Sequence, residues 1–220
     1  MADAARGAQI DAQIDALIVD LDGVIRHWNN HEFVALAAAA DLPLEDLADI
    51  AFEPELLAAA MTGIVTFEDW ADEIGRRSSA LYGCDAAALT EGWIALGWTI
   101  DHDVIALLRE VRAAKRARVA LFSNASTQVE ADLESSGIDG EFDMIFSSAR
   151  LGLAKPDLEA FRTVAGLLET PVERCLFVDD TVANVDGATD AGMRAAAFTD
   201  VAQLRTLLEE AGLLDGVAPS

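Results

Sequence analysis

Five short apolar runs set the frame of this 220-residue chain: Ala16–Val19, Val119–Phe122, Met144–Phe146, Cys175–Val178 and Ala195–Phe198. Several are rich in Val, Ile and Phe, and most run into polar residues or glycine. Strands buried on both faces of a parallel sheet look this way. Between the later runs, apolar residues recur at helical spacing. Val104, Ile105, Leu107, Leu108 and Val111 share one face, and Leu158, Phe161, Val164, Ala165 and Leu168 share another. Strands alternating with helices predict an α/β fold with a doubly wound sheet.

The alternation breaks once, for roughly 75 residues between about Arg26 and Ile100, too long for a structureless loop inside a compact domain. The patterning there predicts helices over Glu32–Ala40, Leu44–Ile50, Glu55–Met61, Phe67–Leu81 and Ala86–Ile94, and no strand. All four tryptophans, Trp28, Trp70, Trp93 and Trp98, fall within it. The expected organisation is a core from residues 1–25 and 101–220, with an inserted helical subdomain at 26–100. Residues 1–13, Ala-rich and polar, read as a frayed tail rather than a signal peptide, having no basic region leading into an apolar stretch.

Composition narrows the function. With 52% hydrophobic residues the chain can bury an ample core, and no uncharged apolar run is long enough to span a membrane. Thirty-nine acids against 15 bases give a formal charge of -24. A nucleic-acid-binding surface needs a basic patch, so the excess reads as a solvated acidic surface. Cys84 and Cys175 lie far apart, and Cys175 sits in an apolar run as an inert core thiol, so a reduced, cytoplasmic protein is expected. Oligomeric state is not indicated. Only Lys115 and Lys155 are lysines. Where arginine has replaced lysine almost everywhere, Lys155 is expected to be needed for its compact ammonium.

Four polar groups follow the strand-like runs. Asp20-Leu21-Asp22-Gly23-Val24 follows the first, Ser123-Asn124 ends the second, Lys155-Pro156 lies in the loop after the third, and Asp179-Asp180 ends the fourth. In an open α/β sheet, ligands bind beyond the carboxyl ends of the strands where the winding reverses. Converging carboxylates repel unless a cation intervenes, and oxygen-only ligation suits Mg²⁺. A serine and a lysine beside such a cation point to a phosphoryl group as partner. Each piece alone is weak, since Asp-x-Asp is often turn chemistry and Asp-Asp often a helix cap. Their order and shared placement carry the reading.

In that order the four segments resemble the motifs of the haloacid dehalogenase-like hydrolase superfamily, over about Ala16 to Phe198. The 26–100 segment resembles that superfamily's type-1 helical cap. The resemblance implies a Rossmann-like core with strand order 3-2-1-4-5. It also implies a nucleophile at Asp20 and a general acid–base at Asp22. Ser123, the Asn124 backbone and Lys155 would hold phosphate. Mg²⁺ would be bound by Asp20, the Asp22 main-chain oxygen and Asp180, with Asp179 and Asn184 acting behind these ligands. Asp22 is the residue that dehalogenases of this superfamily lack, which favours a phosphatase for a small phosphorylated metabolite. A β-phosphoglucomutase-like transferase shares all four motifs and stays open. A receiver-like signalling module uses similar residues in a different order, and the order here argues against it.

His27, Trp28 and Asn29 lie where the chain enters the helical segment and read equally as substrate-lining residues or as a packed hinge. His31 and His102 read as exposed or helix-start residues, and Trp70, Trp93 and Trp98 as core of the helical segment. Thr66-Phe67-Glu68-Asp69 resembles a capped helix start.

Overall fold

The computed structural model describes residues 13–215; of the expected tail only Gln13 falls within them. Five parallel strands form one sheet: β1 (Ala16–Val19), β4 (Arg118–Ser123), β5 (Met144–Ser147), β6 (Cys175–Asp179) and β7 (Arg194–Ala197). Their spatial order is β5-β4-β1-β6-β7, which counts as 3-2-1-4-5 along the sheet-forming strands. β1 lies between β4 and β6, with Val19 paired to Leu121 on one side and to Val178 on the other. The winding reverses there.

The period of two along a strand sorts its side chains onto the two faces. Leu17, Val19, Val119, Leu121, Leu176 and Val178 join one cluster with α6 (His102–Ala114) and α11 (Val201–Glu210). Ala16, Ile18, Ala120, Phe122, Cys175 and Phe177 join another with α9 (Leu158–Leu167) and α10 (Val182–Ala191). Helices on both faces explain why the central strands read as unbroken apolar runs.

Between β1 and α6 lie five helices: α1 (Asn30–Ala39), α2 (Leu44–Ala51), α3 (Pro54–Met61), α4 (Phe67–Tyr82) and α5 (Ala86–Ile94). They enclose a third apolar cluster of their own, in which the rings of Trp70 and Trp93 meet edge to face at 5.3 Å. Thr66 and Asp69 start α4 with a reciprocal capping box. The segment touches the sheet-bearing part where Phe67 N donates to Thr127 Oγ1 at 3.0 Å. No helix among the described residues is long and apolar enough to cross a membrane.

One expectation fails at the ends of this segment. β2 (Arg26–Trp28) and β3 (Trp98–Ile100) pair antiparallel, with Arg26 opposite Ile100 and Trp28 opposite Trp98. Three-residue strands are too short to display a period of two, so nothing in the pattern marked them. Trp98 therefore belongs to this ribbon rather than to the helical cluster.

Candidate active site

The segment after β1 turns tightly. Ile25 N and Arg26 N both donate to Leu21 O, at 2.8 and 2.7 Å, and Gly23 N donates to Arg26 O at 2.9 Å. Gly23 makes the turn at φ +82°, and a Cβ there would stand 2.0 Å from Asp180 Oδ2. Glycine is thus required twice over, for the backbone angle and for the approach of an acidic side chain from the next strand.

A cavity of about 430 Å³ opens at the carboxyl edge of the sheet, lined by Asp20, Asp22, Ser123, Asn124, Lys155 and Asp180, with Gly23, Thr181 and Asn184 completing its wall. The four separated motifs meet in it. Lys155 is its buried cation. Its Nζ lies 2.7 Å from Asp20 Oδ1 and donates to Asp179 Oδ2 at 2.7 Å and to Phe122 O at 3.0 Å. Two side-chain bonds fix the backbone of this lysine: Asn124 Nδ2 donates to Lys155 O at 2.7 Å, and Lys155 N donates to Asn124 Oδ1 at 2.8 Å. The loop is pressed against α10, where Gly187 leaves room for Pro156 O, which a Cβ would meet at 2.5 Å.

The two adjacent aspartates differ sharply. Asp179 is fully buried and its carboxylate is spent on protein partners: Lys155 Nζ, Thr181 N at 2.8 Å, and Asn184 Nδ2 at 3.0–3.1 Å from its two oxygens. Asp180 is exposed and, among the described residues, its one hydrogen-bond partner is Thr181 Oγ1, at 3.2 Å. Oxygens of Asp20, Asp179 and Asp180 lie within 4.8 Å of one another, a spacing that one metal ion can span. Because Asp179 is already engaged, Asp20 and Asp180 are the carboxylates left to a cation. An all-oxygen donor pair of this kind fits a hard divalent ion.

Two buried groups lack what burial demands. Ser123 Oγ has no hydrogen-bond partner among the described residues, and Asp20 Oδ1 is ion-paired to Lys155 without an aligned hydrogen bond. Burial pushes the Asp20 carboxyl up to about 7; Lys155 pulls it down and Asp179 pushes it further up. Unfilled hydrogen-bonding capacity at a cavity wall is capacity for a ligand.

Asp22 lines the same cavity, and both its oxygens are bonded. Arg26 Nε and Nη2 donate to Oδ1 and Oδ2 at 2.7 and 2.9 Å, and Trp28 Nε1 donates to Oδ1 at 2.8 Å. Trp28 is not among the residues lining the cavity and touches it only through this bond to Asp22. His27 does not line the cavity; its Nε2 faces Asp101 at 4.0 Å. Asn29 caps α1 through His31 N. Arg26 was not anticipated. Its one sequence signal, an arginine directly after Val24-Ile25 beside the first motif, reads by itself as a solvated charge. Cys175 is a buried thiol whose pKa burial pushes up to about 12, as an inert core cysteine requires.

Fold and site together define a Rossmann-like α/β protein with an acidic, lysine-bearing cavity at its topological switch point. The chain belongs to the haloacid dehalogenase-like hydrolase family, whose family model matches residues 14–192. It is similar to the sesquiterpene phosphatase astK of Aspergillus oryzae, 29% identical over 198 residues that cover 88% of this chain and 93% of that one. It is also similar to phosphatase MT3486 of Mycobacterium tuberculosis, 34% identical over 109 residues, 46% of this chain and 50% of that protein. Against several curated relatives the alignment spans only 34% to 50% of their length. Among solved structures, the HAD family enzyme bt-2542 of Bacteroides thetaiotaomicron, in complex with magnesium and inorganic phosphate, superposes with a TM-score of 0.69. It is 17% identical, and the match covers 87% of this chain and 98% of that one.

Proposed function

We propose that this protein is a Mg²⁺-dependent phosphatase that hydrolyses a small phosphorylated metabolite through an aspartyl-phosphate on Asp20. The observation that carries the reading is the buried Ser123 hydroxyl, without a hydrogen-bond partner among the described residues, which lines the same cavity as Asp20 and Lys155. A phosphate monoester supplies an acceptor that Ser123 lacks and an electrophile for Asp20, and its charge suits a site that holds the Lys155 ammonium. The phosphatase names of two relatives and the magnesium and phosphate of one structural neighbour support the same reading.

Asp20 attacks phosphorus; the bond from phosphorus to the leaving oxygen breaks, and Asp22 delivers a proton to that oxygen. Asp22 then takes a proton from the water that hydrolyses the acyl phosphate. Ser123, the Asn124 backbone and Lys155 hold the phosphoryl oxygens through both steps. Asp20, Asp180 and the Asp22 main-chain oxygen would hold Mg²⁺, which when bound would supply charge that offsets the repulsion between nucleophile and phosphate. Asp179 and Asn184 act by holding Lys155 in place. The helical segment 26–100 serves as the cap whose side chains select the substrate.

Asp20→Asn is expected to abolish Mg²⁺-dependent hydrolysis of p-nitrophenyl phosphate, with free phosphate rather than an isomerised sugar phosphate as the wild-type product from hexose 1-phosphate. Activity that survives EDTA, or that the Asn variant retains, would refute the assignment.

A further inference from the structure

The proton-transfer residue of this reading is not free to choose its orientation. An ionised carboxylate offers about four acceptor directions. Arg26 Nε and Trp28 Nε1 take both on Asp22 Oδ1, and Arg26 Nη2 takes one on Oδ2. One direction remains, on Oδ2.

The guanidinium that imposes this has further partners of its own. Its remaining nitrogen, Nη1, donates to Asp132 Oδ2 at 2.8 Å, on α7 (Val129–Ser136). Its carbon sits 4.6 Å from the Trp28 ring centroid and 5.8 Å from that of Trp98, on the two facing strands of the ribbon. Its backbone is tied to Leu21 and Gly23 in the turn after Asp20. Arg26 is buried, although the chain carries only 15 bases for 39 acids. A buried arginine bound bidentately to one acid and singly to a second, and lying near two indole rings, is a rigid fork that lysine cannot copy.

We propose that Arg26 is a positioning residue for Asp22. It presents the free direction of Oδ2 to the leaving oxygen of the substrate, and Asp132 with the tryptophan pair holds Arg26 at that angle. The inference rests on the phosphatase reading and adds to it the residues that orient the proton donor.

The test uses leaving groups. p-Nitrophenolate departs without a proton, whereas the alcohol of an alkyl phosphate needs one, and kcat/KM reports the steps up to that departure. In Arg26→Lys, kcat/KM for an alkyl phosphate is expected to fall at least about tenfold further than for p-nitrophenyl phosphate, a fraction of the roughly 10²–10⁴-fold that a placed proton donor contributes. Asp132→Asn, which loosens only the far end of the fork, should show the same selectivity in smaller degree and covers the case in which Arg26→Lys folds poorly. Asp22→Asn should show it in full, and adding Arg26→Lys to it should cost nothing further. Equal losses on both substrates, additive losses in the double variant, or a gain on the alkyl phosphate would overturn the proposal. Absence of Asp20-dependent hydrolysis in the wild type would instead strike at the phosphatase reading itself.

Discussion

Asp20 is held in a place that disfavours its charge. Its carboxyl is pushed up to about 7 from 3.8, first by burial, against the pull of Lys155 and with the push of Asp179. The folded protein therefore binds this proton more tightly than the unfolded chain does. The contribution of Asp20 to stability falls as pH rises from about 4 to about 7 and is flat above that. In EDTA, Asp20→Asn should leave stability little changed at pH 4 and raise it by about 1–4 kcal/mol at pH 8, since each tenfold change in proton affinity is worth roughly 1.4 kcal/mol. Urea denaturation of both proteins across that range reads the difference, and a gap that does not widen with pH would contradict the burial account. Asp20, Asp22 and Ser123 were legible because they stand at the ends of short apolar runs, and Lys155 because it falls between the third and fourth runs in the same order. The division of labour between Asp179 and Asp180 was not legible in the residues themselves, for two adjacent aspartates are chemically alike until a fold buries one against a lysine.

Among the elements, the turn from β1 into the ribbon is the most constrained. Gly23→Ala would put a side chain into left-handed backbone, costing about 1–2 kcal/mol, and would drive Asp180 aside from a contact of 2.0 Å. The expected result is a modest loss of stability together with a several-fold rise in the Mg²⁺ concentration that half-saturates hydrolysis. An unchanged magnesium curve would mean that Asp180 is not a ligand. Strands β1, β4 and β6 were legible within a residue or two, because burial on both faces makes each a continuous apolar run. The ribbon of β2 and β3 was hidden, since its strands hold three residues each and its partners are some seventy residues apart in register, Arg26 with Ile100.

Across the whole molecule, a formal charge of -24 works against compactness. Raising NaCl from about 0.05 to 0.5 M shortens the Debye length from roughly 14 to 4 Å, so thermal unfolding should move upward. A neutral osmolyte at matched osmolality provides the control, and equal shifts in both would assign the effect to something other than charge. Two apolar clusters flank the sheet and a third lies among α1 to α5.

By itself the sequence determined the sheet-forming runs, the helical interruption and the four polar endings, because apolar periodicity and a strand's terminus are local properties of a chain. Only the tertiary structure decided which groups meet across it. Arg26 reaches Asp132 over 106 residues, Lys155 reaches Asp179 over 24, and Asn124 grips Lys155 over 31. Hydrogen bonds of that reach depend on where packed elements place two side chains within about 3 Å, and no spacing along the chain encodes that.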